Sequence, residues 1–153
     1  MALFLVQHGK SLPKEIDAEQ ELSDEGRTET EKIAAAARAH GLRVARIEQS
    51  GKRRAAQTAE IFAAFLQPPA GVRQADGLNP LDDVTAFAKN IDASEDLMLI
   101  GHLPFMEKLA SFLVTGNIDQ SVLRFQNSGI VCLDKDPGAD HWVILWTLFP
   151  RIR

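Results

Sequence analysis

The first residues that could carry chemistry follow the apolar run at the start of the chain. Residues 7–11 read QHGKS, and the imidazole of His8 can act as a nucleophile. Gly9-Lys10-Ser11 matches the end of a phosphate-binding P-loop, but that motif needs a second glycine five positions earlier, where Phe4 stands. The spacing therefore excludes a P-loop and leaves His8 to be explained.

Two further residues that could bind phosphate follow other apolar runs. His102 comes after Leu97–Ile100, and Arg54 lies at the start of the helix predicted after the second strand. The carboxyl ends of parallel strands lie at one edge of a sheet, so we expect His8, His102 and Arg54 to meet there. A nucleophilic imidazole, a second imidazole and a guanidinium are sufficient for phosphoryl transfer, and this chemistry needs no metal.

Strands and helices alternate along the sequence. Continuous apolar runs predict buried strands, and apolar residues at helical spacing predict helices with Ser23 as a cap and Gly41 and Pro68 as stops. The predicted strands are residues 2–6, 44–49, 72–74, 97–100, 130–133 and 142–148, and the predicted helices are residues 24–39, 53–66, 81–90 and 105–113. This order predicts one α/β domain over residues 1–153, with a mostly parallel sheet and an antiparallel C-terminal edge.

The last predicted strand carries both tryptophans. Trp142 and Trp146 are four residues apart, so the period of two in a strand places them on the same face. Packing against the sheet explains both side chains without a ligand.

Composition limits the possible partners. The 153 residues are 45% hydrophobic and 25% charged, and 17 Lys and Arg against 21 Asp and Glu give a net charge of −4. A mildly acidic chain is a poor general binder of nucleic acid or of anionic membranes. The single cysteine excludes an internal disulfide, and no apolar run reaches the length of a membrane span. We therefore expect a cytoplasmic protein that has no nucleic-acid or membrane partner.

Four motifs together resemble a known family. They are QHGKS at 7–11, LSDEGR at 22–27, SGKRRAAQTAEIF at 50–62 and LIGHLPFMEKLA at 99–110. Their order and spacing are similar to those of SixA-type phosphohistidine phosphatases of the histidine phosphatase superfamily, over nearly the whole chain. The resemblance implies a phosphoglycerate mutase-like three-layer sandwich, with a mostly parallel central sheet and helices on both faces.

The resemblance also implies roles for individual residues. His8 would take the phosphoryl group and become phosphohistidine, and water would then release phosphate. Arg54 and His102 would bind the phosphate oxygens and stabilise their charge, with Gln7, Gly9 and Lys10 also contacting the substrate. The implied activity is a phosphatase that needs no metal or cofactor, acts on a phosphohistidine in a partner protein and serves signal transduction.

One position departs from the family pattern. The family has arginine directly before the first histidine, and this chain has Gln7. An amide donates hydrogen bonds without a charge, so the change costs about 1–3 kcal/mol of phosphate or transition-state binding, or roughly 10- to 100-fold in rate. Lys10 and Arg53 are two candidates for supplying the missing charge.

The expected position of a general acid also differs. Residues 76–83 resemble the loop of the phosphohistidine branch, which has no obvious carboxylic acid at the place used by phosphomonoesterases. An imidazole leaves more readily than an alkoxide, so this loop favours N–P over O–P substrates. Two alternatives remain: a phosphate- or phosphoprotein-binding relative without turnover, and a small-molecule phosphomonoesterase that uses a carboxylate between Asp76 and Asp83.

Overall fold

The computed structural model of the protein describes residues 1–92 and 94–152. The strands are β1 (Ala2–Gln7), β2 (Arg46–Gln49), β3 (Val72–Gln74), β4 (Leu97–Gly101), β5 (Ile130–Asp134) and β6 (Val143–Leu148). The helices are α1 (Asp24–Ala39), α2 (Arg53–Leu66), α3 (Val84–Lys89) and α4 (Phe105–Thr115). Each predicted element is present, with its ends shifted by a few residues at most.

The strands form a six-stranded sheet in the order β3-β2-β4-β1-β5-β6. The first four strands in that order run parallel to one another, whereas β5 is antiparallel to both β1 and β6. The predicted parallel sheet with an antiparallel C-terminal edge is therefore confirmed. All four parallel strands end at the same edge of the sheet. Because β5 is antiparallel to β1, it starts at that edge.

Side chains from the central strands alternate between the two faces of the sheet. On β1, Leu3 and Leu5 join one buried cluster and Phe4 and Val6 join the other, and β4 and β5 alternate in the same way. Helices α3 and α4 cover the Leu3 and Leu5 face, while α1 and α2 cover the opposite face. Because both faces of these strands are buried, their sequences read as continuous apolar runs. The predicted three-layer sandwich is confirmed.

The ends of the helices follow from their capping residues. Ser23 Oγ accepts the Gly26 backbone N–H at 3.0 Å at the start of α1. The carboxylate of Asp83 accepts the N–H groups of Thr85 and Ala86, so α3 begins later than the predicted residue 81. Leu81 consequently stays outside the helix and is 87% exposed.

The prediction that the two tryptophans share a face is wrong. The register between β5 and β6 shifts, because Cys132 pairs with Trp146 whereas the next residue of β5 pairs with Ile144. The extra residue reverses the alternation between the two tryptophans. Trp142 is buried in the cluster beneath α3 and α4, and the ring centroid of Trp146 lies 6.1 Å from that of Phe4 on the other face.

The opposite placement of the tryptophans predicts unequal effects of truncation. Trp142 is 8% exposed and Trp146 is 39% exposed. We expect Trp142→Ala to lower the free energy of unfolding by about 3–5 kcal/mol because it leaves a cavity in the core. Trp146→Ala should cost about 1 kcal/mol. Urea denaturation measures both losses, and equal losses would contradict this placement.

Candidate active site

Two histidines meet where β1 and β4 end. The two strands pair in parallel with Gln7 opposite Gly101. His8 and His102 are the residues that directly follow this last pair. The His8 backbone N–H donates to the Gly101 carbonyl at 2.9 Å and extends this pairing by one residue. The ring centroids of His8 and His102 are 5.0 Å apart. The structure thus brings together the two imidazoles that the sequence placed at one edge.

The orientation of the His8 ring leaves one nitrogen free to react. Its Nδ1 lies 2.7 Å from the Gly9 carbonyl oxygen. A carbonyl oxygen can only accept, so Nδ1 carries the proton and Nε2 keeps its lone pair. Burial lowers the pKa of His8 to about 4, a fall that the bond to Gly9 opposes and the charge of Arg54 increases. His8 is therefore neutral, with its nucleophilic electron pair available, at pH 7.

The backbone around His8 is held by side chains from two other segments. The Gly9 N–H donates to Thr58 Oγ1 at 2.9 Å, and Asn127 Nδ2 donates to the His8 carbonyl at 2.9 Å. The Ser128 N–H donates to the Gln7 carbonyl at the same distance. The first of these bonds occupies the Gly9 N–H, and together they fix the backbone on both sides of His8.

Close packing explains why residue 9 is a glycine. A Cβ there would lie 2.6 Å from Thr30 Oγ1 and 3.2 Å from Ser128 Oγ, too close for either contact. Thr30 and Ser128 are fully buried, and their hydroxyl oxygens are 2.6 Å apart. The sequence motifs did not single out Thr30 or Ser128 and missed this role. The available signal was a threonine on the otherwise Ala-rich face of α1.

One ring nitrogen of His102 contacts Ser50, and the other nitrogen carries the ring proton. Ser50 Oγ lies 2.6 Å from His102 Nε2 and also accepts the Lys52 backbone N–H at 3.3 Å. Among the described residues, Nε2 is the one acceptor found for the Ser50 hydroxyl, so we assign this hydroxyl as the donor and the ring proton of His102 to Nδ1. This Nδ1 is buried and has no hydrogen-bond partner in the described part of the chain.

Burial also keeps His102 neutral. It lowers the pKa of His102 to about 3, helped by the neighbouring His8 and by the charges of Arg54 and Lys52. A neutral ring with its proton on Nδ1 is a hydrogen-bond donor, whereas His8 offers a lone pair. The adjacent imidazoles therefore provide one nucleophile and one donor.

Arg54 lies at the start of α2 and is partly buried. It forms no ion pair with any residue in 1–92 or 94–152, and burial lowers its pKa. Its charge also lowers the pKa of both histidines. A partly buried guanidinium that forms no ion pair among those residues is suited to bind an anion.

The two cations named as replacements for arginine at position 7 are bound to carboxylates. Lys10 Nζ lies 2.7 Å from Glu25 Oε2, and Arg53 Nη2 lies 3.1 Å from Glu21 Oε2. Gln7 itself lines a cavity of about 220 Å³ with Leu103, Asn127 and Arg124 among its walls. The substrate contacts expected of Gln7, Gly9 and Lys10 remain predictions.

The carboxylates of residues 76–83 surround a different space. Asp76, Asp82 and Asp83 line a cavity of about 790 Å³ together with Arg46 and Arg73, and neither His8 nor His102 is on that lining. Asp82 accepts the Asn79 N–H, and the hydrogen bonds that cap α3 lower the pKa of Asp83. Asp83 therefore stays ionised and is a poor proton donor.

Neither a metal site nor a membrane span is found in the described part of the chain. No three or more His, Cys, Asp or Glu side chains are grouped there in a way that could hold a metal ion. Within residues 1–92 and 94–152, no helix has both the length and the apolar composition that a bilayer span requires.

The structure is similar to solved phosphatases of one superfamily. The protein histidine phosphatase SixA complexed with tungstate superposes with a TM-score of 0.85, at 24% identity over 98% of this chain and 97% of that one. A protein from Agrobacterium tumefaciens assigned as SixA gives 0.76 at 23% identity over 96% of both chains. The chain therefore has the fold of the SixA phosphatases. The fold class predicted from the sequence motifs is confirmed.

The similarity extends to phosphatases with other substrates. Phosphoserine phosphatase from Entamoeba histolytica, in complex with 3-phosphoglyceric acid, gives a TM-score of 0.70 at 14% identity over 95% of both chains. No protein-family model and no curated protein sequence matches the chain. These identities are low, so the similarity establishes the fold and leaves the chemistry to the site itself.

The depressed pKa values predict how the site responds to pH. In the unfolded chain both histidines bind protons near their ordinary pKa of 6.5, whereas in the folded chain they do so near 4 and 3. The free energy of unfolding should therefore be highest above pH 6.5 and fall as the pH drops from 6.5 to about 4. Urea denaturation across this range measures the effect, and His102→Asn should weaken it.

Nuclear magnetic resonance gives an independent check on the same two residues. The imidazole C–H signals of His8 and His102 should not titrate between pH 5 and 8, and the ¹⁵N shifts should show the proton on Nδ1 in both rings. A midpoint near pH 6.5 for either ring would contradict the buried, neutral pair.

Proposed function

We propose that the protein is a phosphatase that transfers a phosphoryl group from its substrate to Nε2 of His8 and then to water. The observation that carries this proposal is the complementary pair of neutral imidazoles. His8 offers a lone pair, His102 offers an Nδ1 proton without a partner in the described part of the chain, and Arg54 supplies charge beside both. Phosphoryl transfer needs this combination of a nucleophile and donors to the phosphate oxygens.

The first step is in-line attack on phosphorus. The bond from His8 Nε2 to phosphorus forms while the bond from phosphorus to the substrate nitrogen breaks, and that nitrogen leaves with the electron pair. If the other nitrogen of the substrate ring is protonated, the product is a neutral imidazole and no acid is required. His102 Nδ1–H and Arg54 stabilise the charge on the phosphoryl oxygens during transfer.

The second step restores the enzyme. Water attacks phosphorus, the new O–P bond forms, and the bond to His8 Nε2 breaks with its electrons returning to the ring. The proton lost by water passes to phosphate or solvent. The bond from Nδ1–H to Gly9 holds the ring in one orientation through both steps.

The surrounding carboxylates favour N–P substrates. Alkyl phosphates need an acid to protonate the departing alkoxide, and Asp83 is held ionised as a helix cap. Asp76, Asp82 and Asp83 also face a cavity that neither histidine lines. We therefore propose phosphohistidine as the substrate.

The short connections at the active edge support a protein as the carrier of that phosphohistidine. Residues 50–52 are all that separates β2 from α2, and residues 102–104 all that separates β4 from α4. These two connections are too short to cover the site from the side of β2 and β4, which suits a side chain presented by another protein. The protein histidine phosphatase SixA, whose solved structure this chain resembles in fold, supports the same substrate class.

Loss of His8 provides the central test. We expect His8→Ala to reduce phosphate release from phosphoramidate or a phosphohistidine protein by at least about 10³-fold, since it removes the nucleophile. Rapid acid-free quenching of the wild type should trap phosphate on residue 8, detectable by mass spectrometry. His40→Ala, which removes an exposed histidine at the end of α1, is the matched control. Wild-type turnover that persists in His8→Ala would refute the proposal.

The alternative is a phosphate-binding relative without turnover, favoured by Gln7 in place of arginine. Gln7→Arg separates the two possibilities. An active enzyme should already turn over phosphoramidate in a His8-dependent way and gain at most about 100-fold in kcat/KM, because a charge-assisted contact replaces a neutral one. A rise from the His8→Ala background by more than about 100-fold would instead identify the wild type as a binding protein.

The similarity to phosphoserine phosphatase keeps a phosphomonoesterase as a second candidate. Phosphoserine and phosphoramidate measured side by side distinguish the two classes. A higher kcat/KM for phosphoserine, lost in Asp82→Asn, would favour the phosphomonoesterase.

A further inference from the structure

We infer that Lys52 supplies the positive charge that Gln7 does not, and that its ammonium group binds an oxygen of the phosphoryl group held between His8, His102 and Arg54. This inference rests on the proposed phosphate site and adds a residue to it. The sequence motifs did not single out Lys52, because they pointed to Lys10 and Arg53 as replacements.

Ion pairing argues against the other two cations. Lys10 is held 2.7 Å from Glu25, which also contacts Arg151 at 3.1 Å, so its charge is used to join the loop after β1 to the C-terminal segment. Arg53 is held 3.1 Å from Glu21. By contrast, Lys52 makes no ion pair with the described residues.

The backbone of Lys52 is tied directly to the site. Its N–H donates to Ser50 Oγ at 3.3 Å, and the same oxygen lies 2.6 Å from His102 Nε2. Ser50 thus connects the backbone of Lys52 to the ring of His102. Lys52 also lies two residues before Arg54. Its side chain is exposed, so it can adopt a conformation that reaches a ligand without breaking a buried contact.

Charge effects on the histidines agree with this placement. The causes that lower the pKa of His102 are, in order, burial and the charges of His8, Arg54 and Lys52. Neither Lys10 nor Arg53 contributes to the pKa of His8 or of His102. Lys52 therefore acts electrostatically on His102, whereas Lys10 and Arg53 act on neither ring.

The start of α2 is also prepared for an anion. Lys52 is the N-cap residue, no side chain caps the helix there, and its first turn contains no acidic residue. The positive end of the helix dipole therefore lies at Lys52 and Arg54. A phosphoryl group carries about two negative charges, so a second cation beside Arg54 balances it.

The test compares charge removal at several positions. We expect Lys52→Gln to weaken tungstate binding, measured by calorimetry, and to lower kcat/KM for phosphoramidate by about tenfold each, whereas Lys52→Arg retains most of both. Lys89→Gln removes an exposed charge on α3 and is the matched control. Lys10→Gln and Arg53→Gln should have smaller effects than Lys52→Gln.

Combining Lys52→Gln with Gln7→Arg tests whether the two positions share one role. The new arginine should restore binding more in the Lys52→Gln background than it adds to the wild type, because the two cations serve the same oxygens. A loss in Lys52→Gln no larger than in Lys89→Gln, or a larger loss in Lys10→Gln or Arg53→Gln, would overturn the inference. Circular dichroism confirms that the variants are folded.

Tungstate binding separates this inference from the proposed function. If the wild type binds tungstate through Lys52 but shows no His8-dependent release of phosphate, the inference holds and the proposed enzyme activity fails. If the wild type binds no tungstate, the inference is overturned, and His8-dependent release of phosphate decides the proposed activity separately. If it releases phosphate but Lys52→Gln changes neither readout, the activity stands without a role for Lys52.

Discussion

The register between β1 and β4 is the constraint on which the rest of the site depends. Opposing side chains on these two strands belong to the same core cluster, as Leu5 does with Leu99 and Val6 with Ile100. A slip of one residue would turn every apolar side chain of β1 toward the other layer of helices. Two buried faces therefore determine which residues end the strands, and they place the following residues, His8 and His102, next to each other. The hydrophobic core thus positions the two histidines.

Burial then determines the chemistry of that pair. Two imidazoles 5.0 Å apart would repel each other if both were protonated, and the low polarity around them already disfavours the charged form. What distinguishes the rings is their hydrogen-bond partners, because Gly9 can only accept a proton and the Ser50 hydroxyl can donate one. The same residue type thus offers a lone pair at one strand end and a proton at the next. The surrounding polar groups, from Thr58 to Asn127, keep these partners in place.

The sequence predicted the features that depend on regular patterns. Apolar runs located the strands because both faces of the strands are buried. The second position beyond two of these runs located His8 and His102. Side-chain contacts across long separations were harder to foresee. Thr58 meets Gly9, and Ser128 meets Thr30, through pairings that no local spacing encodes. The bulge in β6 was missed for a similar reason, since an extra residue changes the alternation without a marker such as glycine or proline. Likewise, which cations are free depends on where Glu21 and Glu25 lie in the folded chain.

Replacing arginine by Gln7 limits the reactions that this site can support. A neutral amide attracts a phosphoryl dianion less than a guanidinium does, in the substrate, the transition state and the released phosphate alike. Weaker binding of free phosphate does not slow turnover, but weaker stabilisation of the transition state must be offset. A better leaving group offsets it, because less charge then needs to develop on the departing atom. An imidazole is such a leaving group and an alkoxide is not, so Gln7 and the ionised cap at Asp83 both favour cleavage of an N–P bond.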